Sequence, residues 1–285
     1  MVTVWHRSKA KINLLLGGAP QETHIAYDPT RPLPFPYEIV EMIIAHLIHD
    51  LDSLKACSLT CSSWYTASVP HLHHTLTLTG NAPSIGHDQL VPLPNLHELG
   101  LVHLVKVVQV KQDPDMICWF TPQAFSHPGL RYFSALTNVR TLELQEMEIC
   151  RFIPGIEDYF VHFSQTLRSI TLFSPSCTPR QLSYFLSLFS NLENIEIWDP
   201  HLLRPTSPRE PVPFSAPEFR GRLVLYNLGI RWVETWTHLL TSGGSLRFRH
   251  MDLRGSASCA PVLFEACAET LETIQFGLRS RSASK

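Results

Sequence analysis

The residues able to do chemistry in this chain are its histidines, cysteines and carboxylates, and their spacing argues against bond chemistry. Fifteen histidines and seven cysteines are present. His71, His73 and His74 cluster, and Cys57 and Cys61 lie close together. Protein zinc sites use recognisable ligand spacings such as paired CxxC or HExxH, and neither occurs here. Cys57 and Cys61 read instead as small core residues. There is no GxSxG, no P-loop and no GxGxxG followed by an acid. The acidic residues are dispersed, and no two are placed by spacing as a general acid and base. The expectation is a chain with no catalytic residues, no metal ligands and no cofactor.

Bulk properties narrow the class. Hydrophobic residues make up 44% and charged residues 17%, a globular composition. The net charge of −2 and the lack of a basic stretch argue against nucleic-acid or membrane-surface binding. Seven scattered cysteines, an odd number, fit a reducing compartment, cytoplasmic or nuclear, better than a disulfide framework. Nothing approaches the roughly 18–20 apolar residues of a membrane span. The patch Ile12 to Leu16 is too short for a secretory core. Residues 1–30 read as a poorly ordered tail, and residues 279–285 as a solvated one.

Two regions must therefore position whatever surface does the work. The first runs from 31 to 80. Ile39, Val40, Ile43, Ile44 and Leu47 recur at helical spacing, with Pro36 and Glu38 suited to the helix start. Asp50 and Asp52 are placed to cap a second helix carrying Leu54 and Cys57, and Leu59, Cys61 and Trp64 follow. So small a core needs a neighbour.

The second region, 81–278, repeats itself. The units are Leu96-Leu99-Leu101, Val139-Leu142-Leu144, Leu167-Ile170-Leu172, Leu192-Ile195-Ile197, Arg220-Leu223-Leu225, Phe248-Met251-Leu253 and Leu271-Ile274-Phe276. The steps are 43, 28, 25, 28, 28 and 23 residues, so the first holds an insertion around Val105 to Pro128. The other five fit the ~20–29 of leucine-rich repeats. Helices are expected within 155–165, 179–189, 230–240 and 259–270. The position three residues beyond the last leucine carries no Asn, so no asparagine ladder can form. The segment from Pro200 to Pro217 holds six prolines and reads as an extended loop. The last strand has no evident cap.

The first region resembles an F-box. Phe35, Pro36, Glu38, Ile39, Val40, Ile43, Ile44 and Leu47 match the first half of that pattern, with Phe35 in place of the usual Leu. Leu54, Leu59, Cys61 and Trp64 match the second half, while Thr60 and Ser62 depart from the commoner neighbours. The run SLKACSLTC and the following LTL are similar to the expanded F-box family of mushroom-forming fungi. The expected fold class is α/β: a small all-helical F-box module, then a leucine-rich-repeat-like solenoid with a parallel β-sheet.

The resemblance implies a non-catalytic, substrate-recognition subunit of a cullin-RING (SCF-type) ubiquitin ligase. Phe35, Pro36, Ile39, Ile43, Leu54, Leu59 and Trp64 would dock on the linker subunit, and through it on a cullin. The repeats would bind a protein substrate. Strand alternation turns Glu98, Gly100 and Val102 outward in the first unit, and in later units Glu143, Phe173, Glu196, Trp198, Arg222, Tyr226 and Arg254. Phe173, Trp198 and Tyr226 hold one position in three successive repeats and should form a row with a charged rim, as at an interface hot spot. The alternatives are rings that pack over the proline-rich loop, and a repeat scaffold that engages no ligase.

Overall fold

The computed structural model describes residues 36–80, 92–112, 128–149, 160, 162, 164–202, 217–229 and 232–277. Phe35, both tails, most of the expected 155–165 helix and most of the proline-rich segment lie outside them. The chain is mixed α/β and divides into two compact units, Met1–Leu72 and His73–Lys285.

In the first unit the described residues form α1 (Tyr37–His46), α2 (Leu51–Ser58) and α3 (Ser62–Leu72). Pro36 precedes α1, and its carbonyl accepts from Ile39 N at 3.0 Å. Asp50 caps α2: Oδ1 accepts from Ser53 N at 3.1 Å and Oδ2 from Ser53 Oγ at 2.6 Å. These bonds hold the Asp50 carboxyl below its ordinary range. Asp52 lies within the first turn and pairs with Lys55 at 3.1 Å. Val40, Ile44, Leu54 and Ala67 make a small core, with Leu47, Cys57, Trp64 and Leu72 packed against it.

The second unit is built on β1 (Thr75–Gly80), α4 (Pro92–Glu98), β2 (Val107–Gln112), β3 (Thr141–Gln145), β4 (Ser169–Phe173), β5 (Ser176–Cys177) and α5 (Pro179–Ser187). It continues with β6 (Asn194–Trp198), β7 (His201–Leu202), β8 (Glu218–Tyr226), α6 (Val233–Thr241), β9 (Ser245–Arg254), α7 (Ala260–Cys267) and β10 (Thr273–Gln275). Eight strands pair in parallel in the order β1-β2-β3-β4-β6-β8-β9-β10. Parallel neighbours need a crossover between them, and the helices between later strands supply it.

Alternation then sorts each strand into two faces. Leu76 and Leu78, Val108 and Val110, Leu142 and Leu144, Ile170 and Leu172 point into the core, and the later pairs continue this layer through Met251 and Leu253. All are at most 3% exposed. Ile274 and Phe276 occupy the same layer in the last repeat but are exposed, because β10 ends the sheet among the described residues.

Two expectations are corrected. Leu96, Leu99 and Leu101 are not a strand: Leu96 lies in α4, a turn follows with Gly100 at φ 69°, and Val102 is buried. The strand of that repeat is β2, inside the supposed insertion, so Glu98, Gly100 and Val102 leave the outward-facing set. Val107 to Val110 was obscured because its apolar run has no leucine. The division also falls between Leu72 and His73, not after residue 80, so β1 is a full member of the sheet.

The turns that end the strands have their own repeat. Glu146, Ser174, Asp199, Asn227 and Gly255 each follow the last strand residue with φ between 45° and 68°. The first four N–H groups reach the carbonyl at the end of the next strand, Ser174 N to Trp198 O at 2.8 Å and Asn227 N to Arg254 O at 2.9 Å, and Gly255 N reaches Gly277 O just past β10. These left-handed residues cost strain for all but glycine. Their ladder bonds, extending the sheet past its last regular pair, offset it. Beyond them β5 pairs with β7. One corner does carry a ladder-like side chain: buried Ser256 Oγ accepts from Leu228 N at 2.9 Å and bonds Leu225 O at 3.2 Å.

Candidate protein-interaction surfaces

The first unit has more apolar surface than its own core covers. Six of the eight exposed large apolar residues among the described residues are Tyr37, Met42, Ile43, Ile48, Leu51 and Leu59. Met42 and Leu51 are each 54% exposed. On α1 the two faces separate by rotation. Val40 and Ile44 point into the core, whereas Ile39 is half-buried and Ile43 exposed. An ordinary surface helix carries one apolar stripe and a polar back; α1 carries apolar residues on both.

Among the residues expected at a linker interface, Pro36, Ile43 and Leu59 are exposed, and Ile39 is half-buried. Leu54 is corrected: it is fully buried and is an internal residue, not a partner contact. Trp64 is half-buried against the same core. Tyr37, Met42, Ile48 and Leu51 were missed. Their signal was an apolar arc on α1 too wide for one core-facing stripe, continuing into the α1–α2 turn. Cys57 packs on the core edge, and burial raises its thiol above the ordinary range, which keeps it protonated and unreactive.

In the second unit the sheet register places Gln145, Phe173, Trp198, Tyr226 and Arg254 side by side on adjacent strands. Their side chains meet. Phe173 and Trp198 have centroids 5.8 Å apart at 33°. Trp198 stacks on Tyr226 at 3.7 Å and 10°. The Arg254 guanidinium lies 5.1 Å from the Tyr226 centroid and closes that end of the stack. Asp252 holds Arg254 with two bonds, Nε to Oδ1 at 3.0 Å and Nη2 to Oδ2 at 2.9 Å. That pairing keeps the guanidinium firmly charged and its pKa raised.

A second row lies two residues earlier on each strand: Thr77, Gln109, Glu143, Thr171, Glu196, Val224 and Asp252. Thr77 Oγ1 donates to Gln109 Oε1 at 3.0 Å, and Gln109 Nε2 donates to Glu143 Oε2 at 2.8 Å. Glu196 faces Arg222 at 3.8 Å, a loose pair at a partly exposed site. All seven residues expected on this face are on it. Gln109 was missed because β2 was taken for an insertion. None of the rings belongs to the buried core cluster, although Trp198 Nε1 is buried and finds no acceptor among the described residues.

No group of three or more His, Cys, Asp and Glu among the described residues could hold a metal ion. None of the five described cysteines is in a disulfide, and burial pushes the Cys259 thiol up to about 11. No helix among the described residues is long and apolar enough to cross a membrane. Compared with known proteins, the chain matches no protein-family model and no curated protein.

Proposed function

We propose that this protein is the substrate-recognition subunit of an SCF-type ubiquitin ligase. On this reading residues 36–72 are an F-box that docks on the linker subunit. The parallel sheet is a leucine-rich-repeat-like solenoid whose outward face holds a protein substrate. The observation that carries the reading is α1 with apolar residues on two faces, Val40 and Ile44 inward and Met42 and Ile43 outward, with Leu51 and Leu59 also exposed. Exposed apolar patches of this kind mark protein contacts. The match in order and spacing to the F-box pattern supplies the identity of the partner.

The protein would make and break no bonds. Ubiquitin transfer belongs to the RING subunit and the conjugating enzyme, and the gain comes from effective concentration. Such a role places the protein in the cytoplasm or nucleus.

The test is capture of the linker subunit by the full chain. Wild type should retain it together with a cullin. Ile43→Asp combined with Leu59→Asp should reduce capture at least about tenfold, since two exposed contacts become buried charges in the complex, while the melting temperature changes little. Leu54→Asp should instead unfold the module. Wild type that retains partners but neither linker nor cullin would establish the other reading, a repeat scaffold that engages no ligase.

A further inference from the structure

The aromatic stack ends beside a charged side chain on one side and a neutral one on the other. At the β9 end Arg254 lies over Tyr226 and is held from behind by Asp252, two residues earlier on the same strand. Ring, cation and carboxylate form a three-layer arrangement. At the β3 end two of these layers are present. Phe173 is the terminal ring. Beside it stands Gln145, in register as Arg254 is with Tyr226, and Glu143 lies two residues before Gln145 as Asp252 lies before Arg254. Gln145 stands where Arg254 stands at the other end, and it brings no positive charge.

The charges agree. Of the carboxylates in the second row, Asp252 has Arg254 and Glu196 has Arg222. Glu143 has a neutral neighbour, Gln109, and no cation among the described residues. Next to it lies Thr171, a small buried side chain that carries no charge. Lys111, one strand further, is exposed and makes no ion pair among the described residues.

We propose that Phe173 and Glu143 receive a lysine or arginine side chain of the bound protein, which supplies beside Gln145 the positive charge that Arg254 supplies at the other end. This rests on the reading of the sheet face as a substrate surface and names its chemistry: a segment with a basic residue. A cation over an aromatic face contributes about 2- to 30-fold in affinity, depending on how far it is desolvated. Glu143 adds specificity for positive charge.

The experiment selects random dodecapeptides displayed on phage against the immobilised full-length protein and its variants. Wild type should enrich peptides with Lys or Arg at one fixed position. Glu143→Lys should exchange that preference for Asp or Glu. Should that variant fold poorly, Glu143→Gln should lower the basic preference without reversing it. Lys111→Ala should leave the preference unchanged. The inference is overturned if no peptide is enriched, if the pool lacks a basic position, if Glu143→Lys keeps it, or if it emerges only in Lys111→Ala, which would make Lys111 the occupant. Linker capture is read on the same samples. Lost capture with the basic preference intact removes the ligase reading alone, and the reverse removes this inference alone.

Discussion

Trp198→Ala separates a binding role for the aromatic row from a packing role. The ring lies between Phe173 at 5.8 Å and Tyr226 at 3.7 Å, outside the buried core cluster. Truncation removes two ring pairs, worth about 0.5–1.5 kcal/mol each. It also removes an indole N–H that is buried without an acceptor among the described residues, which offsets part of that loss. A net cost of about 2 kcal/mol corresponds to roughly 6 °C in a unit of this size. Trp236, on α6 and 1% exposed, is the internal standard. Its truncation opens a core cavity and should cost about 4 kcal/mol, roughly 12 °C. Differential scanning fluorimetry and urea titration of both variants give the ratio. Binding of peptides selected on wild type should fall at least about tenfold in Trp198→Ala, as at a hot spot, and little in Trp236→Ala below its melting point. The reasoning is refuted if Trp198→Ala melts as low as Trp236→Ala, or if it melts near wild type and still binds.

Three further outcomes follow from single positions. Gly221, at φ 87°, turns a bulge where β8 meets β9, and a Cβ there would overlap the Glu193 carbonyl that accepts from Arg222 N. Gly221→Ala should lose at least about 2 kcal/mol in urea titration, through both the left-handed backbone and the clash. Ser256→Ala leaves Leu228 N without its acceptor and should cost about 1–3 kcal/mol; Ser256→Asn, which restores a ladder group, should recover part of it. Burial lowers the His73 pKa below its ordinary value. The folded sheet unit therefore binds that proton less readily than the unfolded chain, and stability falls as pH drops below about 6.5. His73→Gln should flatten that part of the pH–melting curve, and an unchanged slope would assign it to other groups.

The parallel sheet was legible from β3 to β10 because its inward residues recur at near-constant steps. From Leu144 to Leu253 the repeat phase read from sequence is the phase observed. It failed where the leucine signal was strongest to the eye. Leu96, Leu99 and Leu101 satisfy the strand spacing but also fit a helix and turn. The true strand, with Val108 and Val110, carries valines in their place. Short apolar runs do not distinguish the two by periodicity alone. In the first unit, periodicity placed Ile39, Val40, Ile43, Ile44 and Leu47 on one helix, but not which face the core would take. That choice depends on where α2 and α3 lie.

By itself the sequence determined the alternation of apolar positions and the alignment of Phe173, Trp198 and Tyr226 in successive repeats. These are local or periodic properties, carried by residue type and interval. Only the tertiary structure decided that the three rings stack, that Arg254 closes one end while Asp252 holds it, and that Glu143 is left without a cation among the described residues. It also decided that Leu54 is internal while Met42 and Leu51 are exposed. Contacts between strands depend on register and on side-chain direction across a gap of about 4.8 Å. Burial depends on which helix covers which face, and no interval along the chain encodes either.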